Sequence, residues 1–188
     1  MERSPRQGPL GAGGRAKRRW AARPTWGAKR SLVERVWNAS RGFLAAYREE
    51  PNLRFHCLAA GTALALARAV GLTGLPLLYL CGTIAFVMAA ELANTAVERA
   101  VNLAAGDRYH PLAALAKDVA AGAVLVAALH AVAAAWILFV APRGLAGLWT
   151  ALVEYAAGRP LEAAISLAVV AGLGAAAALH GRRRGDSG

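Results

Sequence analysis

Between Val119 and Ala141 the chain runs for 23 residues without a Lys, Arg, Asp or Glu, and His130 is the only side chain there that can take a charge. About 20 apolar residues in a helix cross the hydrocarbon of a bilayer. Three further stretches have the same character: residues 53–75, broken by Arg68 near one end; residues 75–105, which open with 16 uncharged residues; and the Ala-rich residues 161–179. With 57% hydrophobic and 18% charged residues, the 188-residue chain is too apolar for an ordinary soluble domain. An all-α integral membrane protein is expected.

The charges say where the ends lie. Lys and Arg number 22 against 11 Asp and Glu, a formal charge of +11. Nine of the basic residues fall in residues 1–30 and three form the run Arg182, Arg183, Arg184. They are not interleaved with aromatics as in a nucleic-acid groove, so no nucleic acid is expected as partner. Basic ends around an apolar middle suit anionic lipid at the cytoplasmic face of a bilayer.

Residues 1–30, rich in Gly, Pro and Arg, read as a disordered basic tail without the apolar core of a secretory signal. Residues 31–49 repeat apolar side chains at helical spacing, with Trp37 and Tyr47 among them and Arg residues between, which predicts an amphipathic helix at the membrane interface. The uncharged connection at 71–76 faces out, the connection flanked by Arg99, Arg108 and Lys117 faces in, and 142–160 faces out. A fourth crossing at 161–179 then returns Arg182–Arg184 to the cytoplasm. The expected organisation is a tail (1–30), a membrane domain (31–141, with spans at about 53–75, 75–105 and 115–141) and an extension (142–188). Cys57 and Cys81 lie in apolar stretches without metal-site spacing and read as packing residues.

Glu91, Asn94 and Glu98 do not belong in such a setting. A carboxylate at mid-span costs roughly 2.5–3.5 kcal/mol on insertion scales. Spacings of three and four put all three side chains on one stripe of one helix, suited to holding a divalent cation or accepting a proton. Lys117-Asp118 opens the next span, and Glu49-Glu50 with Arg54 precedes the first, all on the cytoplasmic side. Hard oxygen ligands beside cations are what phosphoryl transfer from a nucleotide requires, although no Walker loop and no protein-kinase signature is present. Two alternatives stand beside a kinase. A small proton-coupled carrier would use Glu91 and Glu98 as a relay, and a membrane anchor would leave both carboxylates unexplained.

The run Glu91-Leu92-Ala93-Asn94-Thr95-Ala96-Val97-Glu98, followed by Ala116-Lys117-Asp118, resembles the paired signature of the small bacterial integral-membrane diacylglycerol kinase and undecaprenol kinase family. Ser40-Arg41-Gly42-Phe43 and Glu50-Pro51-Asn52-Leu53-Arg54-Phe55-His56 are similar to its segment before the first span, in a form closer to the undecaprenol-kinase branch. The likeness covers about residues 34–141. It implies a homotrimeric lipid kinase with a surface helix, three spans per chain and sites shared between chains. Glu91 would be the general base, Glu50 and Glu98 would hold Mg²⁺, Asn94 and Lys117 would meet the phosphates of ATP, Asp118 would order the site, and Arg54 would also serve phosphate. The substrate would be undecaprenol, with diacylglycerol as the alternative. Three features depart from the pattern: Asn102 stands where the family has Asp, the Leu103–His110 connection is one residue longer than in some relatives, and residues 142–188 lie beyond the family's usual end.

Overall fold

The computed structural model describes residues 31–106 and 109–185, with side chains as far as Leu179. The tail at 1–30, Arg108 and the side chains of His180 and Arg182–Arg184 lie outside the described residues. All regular structure among the described residues is helical: α1 Leu32–Glu49, α2 Pro51–Ala69, α3 Gly74–Ala105, α4 Pro111–Ala135 continued by a π-helical turn Trp136–Val140, α5 Gly144–Gly158 and α6 Pro160–Gly185. The described residues divide into two units between Ala39 and Ser40, so that α1 begins in the first and ends in the second.

Local chemistry sets the helix ends. Ser31 Oγ accepts from the Glu34 N–H at 3.2 Å while Glu34 Oε2 accepts from the Ser31 N–H at 3.0 Å, a reciprocal cap at the start of α1. Pro51 and Pro111 open α2 and α4, where a missing N–H costs nothing. His110 Nδ1 accepts from the Leu112 N–H at 3.2 Å, so this exposed histidine caps α4. Gly71 and Gly106, both with φ above +60 or at it, end α2 and α3 in the left-handed region that glycine enters without a Cβ clash.

Three helices are long and apolar enough to cross a bilayer: α3, α4 with its π turn, and α6 as far as Leu179. The segment expected to span at 53–75 forms the shorter α2, which ends at Ala69 and carries Arg54, His56 and Arg68. Its 19 residues extend roughly 28 Å at the helical rise. The connection expected at 142–160 contains α5, 15 residues long and too short to span.

Within residues 40–188, α3 and α4 form an antiparallel pair with the most extensive packing, and α2 lies against α3. Ala67, Leu80 and Phe139 make a small buried cluster at the end of the bundle away from Glu50, with Leu66, Ile84, Leu138 and Leu148 packed on it. Large apolar side chains such as Leu78, Leu125, Trp149 and Leu167 are exposed, as a hydrocarbon-facing surface requires. Arg143 Nη2 reaches the Val70 carbonyl and its Nη1 the Leu138 carbonyl, both at 3.4 Å, tying the end of α4 to the α2–α3 turn.

The extension packs onto α2. Leu173 meets the Gly61 position and Leu58 the Gly174 position, while Arg68 forms an ion pair with Glu162, which Arg159 joins at 3.6 Å. These contacts run the two helices antiparallel, so the C-terminal end of α6 lies on the Glu50 side of the bundle. Arg68, the charge that breaks the apolar run at 53–75, thus has a carboxylate partner.

Candidate active site

The site gathers where the N-terminal end of α2 crosses the second half of α3. Leu80, Thr83, Val87, Glu91 and Thr95 form the buried stripe of α3, recurring every three or four residues. Glu91 is therefore carried inward by the same periodicity that buries its apolar neighbours; its side chain is 3% exposed. His56, on the facing side of α2, meets it with Nε2 3.1 Å from Oε1. The His56 ring is held edge-on against Phe55, centroids 5.5 Å apart.

Glu50 and Glu98 lie within electrostatic range of the Glu91 carboxylate. Asn94 Nδ2 donates to Glu98 Oε1 at 2.8 Å, across one helical turn. That bond leaves Asn94 Oδ1 buried with no partner. Buried polar atoms are nearly always satisfied, and an orphaned amide oxygen next to a carboxylate is a hard-oxygen donor in want of a cation. No group of three or more His, Cys, Asp and Glu among the described residues is arranged to hold a metal. The set still fits Mg²⁺, which is bound by one or two carboxylates together with substrate phosphates rather than by an all-protein cage.

Arg54 is 5% exposed and directs Nη1 to the carbonyl oxygens of Tyr47 and Arg48, at 3.3 and 3.0 Å. Its guanidinium thus caps the C-terminal end of α1. Glu49 pairs with Arg99 at 2.7 Å and joins the end of α1 to α3. Lys117 and Asp118 stand in the second turn of α4. The register that sets His130 against Tyr79 and Thr83 puts Lys117 level with residues 92–96 of α3, yet among the described residues neither makes an ion pair or hydrogen bond with the acidic cluster. Asn102 is exposed.

Below the His56–Glu91 pair an elongated groove of about 300 Å³ opens between α2, α3 and α4. Its walls are almost wholly hydrocarbon, from Ala59 and Ala63 on one side to Val87, Met88 and Val132 on the other, with Thr83 among them. Phe55 and His56 also line it, and His56 in turn meets the buried Glu91 carboxylate. A buried carboxylate can take a proton from a hydroxyl brought within hydrogen-bond reach of it.

Comparison with known proteins decides the class. A family model described as prokaryotic diacylglycerol kinase matches residues 37–139, more than half of the chain. The chain belongs to this family. It is 35% identical over 127 residues to a diacylglycerol kinase of Synechocystis sp., covering 62% of this chain and 73% of that protein. It is 40% identical over 92 residues to the undecaprenol kinase of Bacillus subtilis, covering 49% and 74% of the two chains. A diacylglycerol kinase of Haemophilus influenzae is 33% identical over 96 residues, covering 51% and 80%. No solved structure matches. The protein is a membrane-embedded lipid kinase that phosphorylates an alcohol, as the carboxylate stripe and the paired motif led one to expect. Membership of a kinase family brings ATP as phosphate donor and, as a rule, a divalent metal. The family match ends at residue 139, so α5 and α6 lie beyond the matched residues.

Proposed function

We propose that this chain transfers the γ-phosphoryl group of ATP to undecaprenol, giving undecaprenyl phosphate, at the cytoplasmic face of a bacterial inner membrane. The observation that carries the reading is the apolar groove lined in part by His56, the residue that meets Glu91. Apart from Thr83 its walls below the reacting end are apolar. A polyprenol is hydrocarbon up to its single hydroxyl and asks nothing more of such walls. Diacylglycerol would bring two ester groups to a groove that no further donor lines. The segment from Glu50 to His56 and the likeness to an undecaprenol kinase point the same way.

In the proposed reaction the lipid hydroxyl gives its proton to Glu91 as its oxygen bonds the γ-phosphorus. The bond from that phosphorus to the β,γ-bridging oxygen breaks, and ADP leaves. Glu50 and Glu98, with the Asn94 amide oxygen, would hold Mg²⁺, which when bound neutralises charge on the phosphate oxygens. Asn94 and Lys117 would meet the phosphates, with Asp118 ordering Lys117. Arg54 would act on phosphate only indirectly, through the helix end it caps. That Lys117 and Asp118 stand at the level of Asn94 without touching the cluster favours sites completed between chains of a homotrimer. The basic termini would bind anionic lipid on the same side.

The test is phosphorylation of undecaprenol and of diacylglycerol, offered separately and in competition to the purified protein with ATP and Mg²⁺. A higher kcat/KM for undecaprenol is expected, and a preference for diacylglycerol would overturn the substrate assignment.

A further inference from the structure

Taking Glu91 as the base, we propose that His56 is its positioning residue, fixing which carboxylate oxygen receives the proton and steering the lipid hydroxyl to it. The inference rests on the reading above, but on different atoms. The two residues lie on different helices, 35 positions apart in sequence, and meet at 3.1 Å through Nε2 and Oε1. With the proton on Nε2, His56 donates to Oε1. That bond occupies one lone pair of Oε1 and makes it the less basic oxygen, so that Oε2 is the better proton acceptor.

Three observations give this contact a role beyond holding α2 to α3. First, a buried Glu side chain has several rotamers within reach, and a base must present its oxygen to the hydroxyl within hydrogen-bond distance. Among the described residues His56 is the hydrogen-bond partner found for Glu91, so it selects the rotamer. Second, the His56 ring is itself mostly buried, 16% exposed, and stands edge-on to Phe55. A packed donor transmits its position to the carboxylate it binds. Third, His56 and Phe55 line the apolar groove. A lipid alcohol whose hydrocarbon fills the groove brings its hydroxyl past this ring to reach Glu91. The residue that orients the base therefore also stands at the approach of the acceptor, so its loss should fall on the chemical step more than on nucleotide binding.

Substitution at His56 separates this role from a structural one. His56→Gln places an amide N–H near the position of Nε2, whereas His56→Phe fills the space without a donor. His56→Phe is expected to lower kcat about 10- to 100-fold, the scale of loss when the orienting partner of a reactive group is removed, with KM for ATP unchanged. His56→Gln is expected to recover most of the rate. Equal impairment of both variants, each folded by size-exclusion chromatography in detergent, would overturn the proposal, as would wild-type kcat in His56→Phe.

A double-mutant cycle with Glu91→Gln gives the second readout. If His56 works through Glu91, His56→Phe costs nothing further in the Glu91→Gln background, since residues acting as one unit are not additive. A further loss of the same size there would show His56 acting elsewhere and overturn the inference. The same cycle keeps the two readings apart: an active Glu91→Gln enzyme removes the base assignment itself, while an inactive one beside a fully active His56→Phe removes only the positioning role.

Discussion

Arg54 Nη1 lies 3.0 Å from the carbonyl oxygen of Arg48, so a cation of α2 closes the C-terminal end of α1. Carbonyls in the last turn of a helix lack intrahelical partners and carry the negative end of its dipole, and a buried guanidinium answers both needs. Hydrogen bonds to charged groups contribute about 1.5–3 kcal/mol each. Arg54→Met is therefore expected to lower the unfolding midpoint in detergent markedly and to reduce activity with it. A residue that served nucleotide phosphate alone would leave the midpoint in place and raise KM for ATP. Thermal unfolding and ATP kinetics on the same preparation separate the two.

Glu91→Gln preserves the shape of the buried side chain and keeps an oxygen that can accept from His56, but it removes the basic lone pair. The loss in kcat expected for a general base is about 10²- to 10⁴-fold. Folding should be unaffected, because a neutral amide at this depth is no harder to bury than a carboxylate. Retained activity in this variant would sink the kinase mechanism as drawn.

How far the sequence foretold the site depends on whether a contact is local. Glu91, Asn94 and Glu98 sit three and four residues apart, so helical periodicity alone puts them on one stripe, and the 2.8 Å Asn94–Glu98 bond is the direct product of that spacing. His130, the one ionisable residue of an apolar span, hydrogen-bonds across helices to Tyr79. The His56–Glu91 contact depends on where α2 crosses α3, which no periodicity encodes. Arg54 is tied to phosphate only through the family resemblance, while its burial is a tertiary fact. The helix α5 was missed because Pro142, Arg143, Gly144 and Gly147 at its start, with Gly158 at its end, look like a connection. The four-span count rested on charge bias, and the bundle's arrangement of α6 against α2 could not be inferred from charge at all.

Asn94 Oδ1 and the Glu98 carboxylate together make a test of metal dependence. Chelation by EDTA is expected to abolish phosphorylation, and added Mg²⁺ to restore it. Glu98→Gln removes a hard anionic ligand and also alters the partner of Asn94, so the Mg²⁺ concentration giving half-maximal rate should rise about 10-fold or more. A Glu98→Gln enzyme with the wild-type Mg²⁺ titration would place the metal elsewhere.

Tyr79 Oη lies 3.3 Å from His130 Nε2, with Thr83 Oγ1 at 3.5 Å and Phe86 edge-on to the ring, far from the acidic cluster along α3. Hydrogen bonds between helices at this depth average about 0.6 kcal/mol and reach about 1.7. Tyr79→Phe and His130→Phe should each destabilise the α3–α4 pair within that range, and the double variant should show a coupling of the same size. Both single variants are expected to keep wild-type KM for ATP. Reversible unfolding in mixed detergent micelles gives the coupling energy, and additivity would show that the contact contributes nothing.

Gly61 faces Leu173 of the extension: a Cβ placed there would come within 2.6 Å of Leu173 Cδ1. The neighbour is the tip of a flexible side chain, so Gly61→Ala should be absorbed by rotation of Leu173 at small cost. Gly61→Leu cannot be absorbed in that way and must push α6 from α2, at about 1–3 kcal/mol for an overpacked contact. Leu173→Ala opens the space again and should suppress the defect of Gly61→Leu while costing stability on its own. Arg68→Met should add to the defect, because the Arg68–Glu162 ion pair holds the same two helices at their other end. The expected readout is the unfolding midpoint in detergent, with kcat changed little, since none of these residues approaches Glu91. A Gly61→Leu protein as stable as the parent would mean that α6 does not seat on this face of α2.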